Sequence, residues 1–235
     1  MRSEVISIAD GIDQIYVGGY VGRGNIAIPG LPYGILEGEL IRRDYGSLDG
    51  TDHTQVHWDD RTGYTPIVNA NGGYQFLGYG VIGNPQPDYV YGVTNTLSYK
   101  WATLRVQFDS QVGGDVFSTT NSTLLGRGIL QETDFDRFVP VVTNGLSADG
   151  TPNTTQTTAN AHYWPNTGVF YDENSIYDAS VMRLREVSLS FVAPKSFLNG
   201  TPFGNASLTL SAQNIWHYAW NTPSGTNFDP EVISY

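Results

Sequence analysis

From Tyr89 onward the chain alternates. The run YVYGVTNTLSY sets Tyr89, Tyr91, Val93, Leu97 and Tyr99 against Gly92, Thr94, Thr96 and Ser98. After a two-residue corner, Lys100–Trp101, the run ATLRVQFDS sets Leu104, Val106 and Phe108 against Arg105, Gln107 and Asp109. Successive side chains of a strand point to opposite faces, so each arm has one apolar and one polar wall. Two later runs repeat the pattern. In 181–193, Val187, Leu189 and Phe191 oppose Glu186, Ser188 and Ser190, and Pro194 stops the run. In 206–215, Leu208, Leu210 and Ala212 oppose Ser207, Thr209, Ser211 and Gln213. No window carries apolar residues at the spacing of a helix face, and Gly, Pro, Asn and Asp punctuate the rest as turns. Residues 4–8 (EVISI) read as the end of a strand, 33–41 (YGILEGELI) as a smaller β-segment, and 71–73 as a hairpin turn.

Strands with two unlike walls occur in water-soluble sandwiches and in membrane barrels alike. The connections separate the two. A corner at 100–101 is followed by a span at 111–179 and a moderate link at 194–205, while another span, 9–88, precedes the first arm. Loops of that length count against a compact soluble domain. They suit an up-and-down barrel with brief turns at one rim and large loops at the other. Tyr99 and Trp101 fall at the short-turn rim, and Tyr89, Tyr91, Trp216, Tyr218 and Trp220 toward the opposite one. Rings with a polar edge favour a membrane interface, although β-propensity alone also enriches aromatic residues.

The predicted fold class is therefore all-β, with antiparallel up-and-down strands at about 89–99, 102–110, 181–193 and 206–215 forming an incomplete part of a barrel. Leu104, Val106, Phe108, Val187, Leu189, Phe191, Leu208 and Leu210 are expected to face lipid, and Thr94, Thr96, Arg105, Gln107 and Asp109 the lumen. Arg183 and Arg185 resist the pattern, because they share the parity of the apolar row. A mid-membrane charge costs about 2–4 kcal/mol, and far less near the interface. The expectation is that both lie above the hydrocarbon, Val187 to Phe191 supplying the buried portion, rather than that a bulge resets the parity.

Composition narrows the classes. The chain has 235 residues and no cysteine, so disulfides, thiol nucleophiles and Cys-based zinc sites are excluded. A net charge of −11 with only 12 basic residues argues against nucleic acid as a partner. No stretch has the roughly 18 apolar residues of a spanning helix, which leaves strands of about 9–11 residues untouched. The N-terminal MRSEVISIADGIDQIY has no apolar core of a signal peptide, so an exported chain is expected to be part of something longer.

Catalytic chemistry finds little support. Asp109/Asp115 and Glu132/Asp134/Asp136 are close in sequence, but glycoside hydrolysis needs two carboxylates at a defined separation across a bond. Solvated loop carboxylates are the better account. His53 and His57 with Asp59 and Asp60 hint at a metal, yet on a strand the two histidines would lie about 13 Å apart. An exposed loop is the expected setting. The turn DYGSLDGTD (44–52) lacks the calcium-loop pattern. Asn121, Asn153 and Asn205 match glycan-acceptor spacing without further support. No catalytic residue, metal site or cofactor is expected.

Several segments in order carry a resemblance: IGNPQPDYVYGVTNTLSYK (82–100), GGDVF (113–117), LLGRG (124–128), TDFDR (133–137), DASVMRLREVSLSF (178–191) and SAQNIWHYAWNTPSGTNFDPEV (211–232). With the opening SEVISIADG and PYGILEGELIRRD, they resemble the SusC/RagA-like family of TonB-dependent outer-membrane transporters. The resemblance implies a 22-stranded barrel around a plug, in the outer membrane of a Gram-negative bacterium. It implies import of glycans, oligosaccharides or peptides with a SusD-like surface lipoprotein as lid, driven through TonB. Only the C-terminal part is matched. Plug and TonB-contact regions and a signal peptide have no counterpart here, and ISY (233–235) precedes the family's last strand, so this stretch alone is not expected to transport. Spans 9–88 and 111–179 would be extracellular; the corner and the link 194–205 would face the periplasm. The alternative is a secreted β-sandwich module that binds carbohydrate, in which the rows at 104/106/108 and 187/189/191 would pack under a second sheet of this chain.

Overall fold

The computed structural model describes residues 3–45, 57–166, 170–222 and 229–230. The first span holds β1 (Ile15–Tyr20), β2 (Arg23–Ala27), β3 (Ile35–Ile41), β4 (Arg43–Asp44), β5 (Thr65–Pro66) and β6 (Phe76–Gly83). The hairpin follows as β7 (Tyr89–Tyr99) and β8 (Ala102–Val112). The second span adds β9 (Asp115–Phe117), helix α1 (Thr119–Gly126), β10 (Val141–Val142), β11 (Gln156–Thr157), helix α2 (Ala159–Asn166) and β12 (Ile176–Asp178). Last come β13 (Val181–Val192), the short helix α3 (Lys195–Leu198) and β14 (Ser207–Tyr218).

Two sheets organise these elements. The long strands form an antiparallel sheet in the order β14-β13-β8-β7, and β1-β2-β3-β6 form the other four-stranded sheet. At the corner, Lys100 takes a positive φ of 51°, which closes the two-residue turn. At the other end the long sheet narrows into the pair β9/β12, and Ala179 N–H donates to the Gly114 carbonyl at 2.7 Å. The second span thus leaves and returns as one two-stranded ribbon.

The hydrophobic core lies away from the long sheet. Leu36, Leu40 and Ile82 pack together from β3 and β6, with Leu77 and Ile176 against them. The spans expected to be long polar loops are therefore a packed body with a sheet of its own. Residues 4–8 form no strand; Glu4 makes a single bridge to Pro32. The turn at 71–73 is present under the bridge Val68–Tyr74. Helices α1 and α2 escaped the periodicity because their buried positions are small or polar: Asn121, Ser122 and Gly126 in one, Ala159 and Asn166 in the other. No helix among the described residues is long and apolar enough to cross a membrane, which says nothing of strands.

Candidate functional site: a sheet with two unlike faces

Register turns the alternation along each strand into rows across the sheet. Leu97, Leu104, Leu189 and Leu210 stand side by side, with Tyr99, Ala102, Phe191 and Leu208 next toward the corner. Toward the other end come Asn95, Val106, Val187 and Ala212, then Val93, Phe108, Leu184 and Trp216. The polar rows alternate with these. They are Ser98–Thr103–Ser190–Thr209, Thr96–Arg105–Ser188–Ser211, Thr94–Gln107–Glu186–Gln213 and Gly92–Asp109–Arg183–His217. All eight candidates for the apolar face share one face, and all five for the polar face share the other. Side-chain bonds run along the polar rows, Ser98–Thr103 at 3.1 Å and Ser190–Thr209 at 2.9 Å, and the ion pair Arg105–Glu186 at 3.9 Å links two neighbouring rows.

Nothing in the described chain covers the apolar rows. Leu97 is 63% exposed and Leu210 59%, whereas Ile35 and Leu40 in the other sheet are 0% and 1%. The sandwich alternative requires a second sheet over these rows, and the described residues provide none. Rings mark both ends of the face. Tyr89 stacks on Tyr91 and Trp216 on Tyr218 at the far end, and Trp101 lies 5.5 Å from Phe191 at the corner. From Tyr89 to Tyr99 β7 runs eleven residues, ten steps of the strand. At a rise of about 3.4 Å and a tilt of about 45°, that covers about 24 Å, close to the apolar band of about 25 Å on a membrane barrel.

The two arginines correct the expectation made for them. The register of β13 shifts between Leu184 and Glu186 against both neighbours. Arg185 is the extra residue facing β8, a bulge that resets the parity. Leu184 therefore joins Phe108 on the apolar face, and Arg183 joins Asp109 on the polar one. Arg183 Nη1 lies 3.3 Å from Asp109 Oδ2, and its Nε and Nη2 reach Asp229 at 3.1 and 2.7 Å. Arg185 Nε donates to Asp109 Oδ1, and its Nη1 approaches Asn214 Oδ1 at 3.3 Å. Asn214 itself has a positive φ of 50°. Both arginines thus pair with carboxylates and need no lipid-side exposure.

The other candidates are dispersed. Asp115 belongs to β9, where its Oδ2 accepts from Asn84 N–H at 2.7 Å, while Asp109 on β8 pairs with Arg183 and Arg185. Burial pushes its carboxyl up to about 6, against the pull of that hydrogen bond. Glu132, Asp134 and Asp136 are exposed, and Asp136 accepts from Phe138 N–H at 3.0 Å. His53 and most of the 44–52 turn lie outside the described residues. His57 accepts from Asp59 N–H at the start of a short 3-10 turn. Asn121 is buried in α1, Asn153 bonds the Thr143 carbonyl at 2.8 Å, and Asn205 is exposed.

Sequence reasoning missed the residues that lock the two spans together. Asp172 is fully buried; its Oδ2 accepts from Arg23 Nε at 2.9 Å and from Glu39 N–H at 3.1 Å. Burial raises its carboxyl above the ordinary value, and Arg23 and the backbone donor oppose the rise. The adjacent Glu173 takes Ile41 N–H at 2.7 Å and Arg43 Nη1 at 2.5 Å. Both carboxylates thus satisfy backbone donors of β3, more than 130 residues away in sequence. No local pattern announces a bond of that range.

No family model matches the chain. It is 28% identical over 160 residues to one TonB-dependent receptor of Formosa agariphila, and 28% over 157 residues to a second. Each match takes in 63% of this chain and 14% of the relative, so the similarity concerns a small part of those proteins. In fold, the chain is similar to the RagAB peptide importer in its closed-closed state, with TM-score 0.55 and 17% identity over 98% of this chain and 23% of that one. A second RagAB peptide transporter structure gives TM-score 0.53 at 15% identity, over 97% and 23%.

Proposed function

We propose that this chain is a stretch of a SusC/RagA-like TonB-dependent receptor, and that β7, β8, β13 and β14 are four transmembrane strands of its outer-membrane barrel. The observation that carries the reading is the face of uncovered apolar rows, capped by rings at both ends and backed by unbroken polar rows. Leu104, Val106, Phe108, Val187, Leu189, Phe191, Leu208 and Leu210 face lipid. Thr94, Thr96, Arg105, Gln107 and Asp109 line a hydrated lumen. Among the described residues no strand pairs with the outer edges of β7 and β14, and an unpaired backbone group costs several kcal/mol in lipid, so both edges meet further barrel strands.

The packed body built from spans 9–88 and 111–179 stands on the extracellular side, where a SusD-like lipoprotein and the incoming nutrient are met. The nutrient is a glycan, oligosaccharide or peptide; the peptide-importing RagAB complexes share the fold. The chain's part is passage, not bond cleavage, with energy delivered through TonB by other regions of the receptor.

Arginine scanning of β8 tests the orientation. Val106→Arg in the intact receptor places a charge at mid-membrane, at a cost of about 2–4 kcal/mol. Gln107→Arg points into water beside Glu186. The expected outcome is a severalfold loss of heat-modifiable receptor in outer-membrane fractions for the first and near-normal amounts for the second. Equal losses would overturn the assignment.

A further inference from the structure

At the corner end of the apolar face there is a cavity of about 420 Å³, lined by Trp101, Phe191, Pro194, Phe197 and Leu208. The Val192 N–H donates to the Trp101 carbonyl at 2.8 Å, which ties the corner to the start of the link. Phe197 and Phe203 in that link are 77% and 66% exposed, more than a turn in water requires. The groove opens on the same face as the rows assigned to lipid.

Charge is arranged around it in a way the rest of the chain does not share. The protein has 23 acidic residues and two lysines, Lys100 and Lys195. Both lysines are chain neighbours of residues that line this groove: Lys100 precedes Trp101, and Lys195 follows Pro194. No Asp or Glu occurs from 89 to 108 or from 187 to 213. A chain of net charge −11 therefore keeps both its lysines in the two acid-free stretches that supply this greasy slot. Lys100 Nζ lies 5.2 Å from the centroid of the Tyr99 ring, held at the same rim.

We propose that this groove binds an anionic phospholipid of the leaflet at the short-turn rim. The acyl chain enters between Trp101, Phe191, Phe197 and Leu208, and the phosphodiester headgroup meets Lys100 and Lys195. The commitment to a lipid follows from the pairing of an apolar slot with cations at its mouth, since a free phosphate has no use for the slot. The inference rests on the transmembrane reading of β7, β8, β13 and β14.

Fluorescence quenching separates the two claims. The intact receptor is placed in nanodiscs of phosphatidylcholine and phosphatidylglycerol, with bromine on the acyl chains of one lipid or the other. The Trp101 contribution is the difference between the native receptor and Trp101→Phe. Brominated phosphatidylglycerol is expected to quench that contribution as though locally enriched about fivefold for each lysine engaged. The preference should vanish in Lys100→Gln/Lys195→Gln and return in Lys100→Arg/Lys195→Arg. Equal quenching by both lipids in the native receptor, or a preference that survives loss of both charges, overturns the lipid site while leaving the barrel orientation intact. Absence of quenching by either lipid overturns the transmembrane placement itself.

Discussion

Asp115 has one strong partner, the Asn84 N–H, and a setting that penalises its charge. Its folded-state pKa of about 6 lies above the ordinary 3.8, so folding favours the protonated form. The sign follows by linkage: its contribution is most favourable at low pH, falls as pH rises from 3.8 through about 6, and stays at its penalty above that. Asp115→Asn keeps an acceptor for Asn84 and never ionises. Its advantage over the native protein should grow across that window and level off beyond it. Amide hydrogen exchange of residues 83–88, compared between the two proteins at each pH, measures this. A difference independent of pH would exclude Asp115 as the titrating group. Such a shift cannot be read from the run GGDVF, because the end of β6, some 30 residues earlier, packs on the carboxylate: a Cβ at Gly83 would lie 2.8 Å from Asp115 Oδ2.

At the scale of the element, the long strands were legible and their defect was not. Period-two alternation is local, so Leu104, Val106 and Phe108 announce their shared face without reference to anything distant. The bulge at Arg185 is set by two partners at once: Asp109 on β8, and Asn214 with its positive φ on β14. Read on its own, VMRLREVSLSF gives the arginines the wrong parity. The same limit hid the strands of the long spans other than the segment at 33–41, whose sheet is sealed by Asp172 and Glu173 arriving on β3. Gly38 is where that seal is tightest: a Cβ there would lie 2.5 Å from Ile82 Cδ1 and 2.6 Å from Asp172 Cβ. Gly38→Ala should overpack this contact by about 1–3 kcal/mol. The expected result is faster proteolysis within 111–179, with the heat-modifiable mobility of the barrel unchanged. Unaltered cleavage would mean that the Asp172 contact does not hold the spans together.

Across the whole molecule, hydrophobic burial is inverted between the two sheets. The spans bury Ile35, Leu40 and Ile41 beneath polar surface, as a protein in water does, while the long sheet turns leucines outward on β7 and β14. Exposure of that extent is unusual for a surface meeting water, and consistent for one meeting hydrocarbon. On the proposed transmembrane reading the two solvents also fix a direction, since the packed body would lie on one side of the bilayer only. The chain has no cysteine, so single cysteines report that direction cleanly over the unsubstituted receptor. Ala148 is exposed in the second span, and Asn199 in the link after β13, at opposite ends of the long strands. In intact cells, a membrane-impermeant maleimide should label Ala148→Cys and leave Asn199→Cys unreacted until the outer membrane is permeabilised. The opposite order would invert the topology, and equal labelling of both in intact cells would remove the membrane from between them.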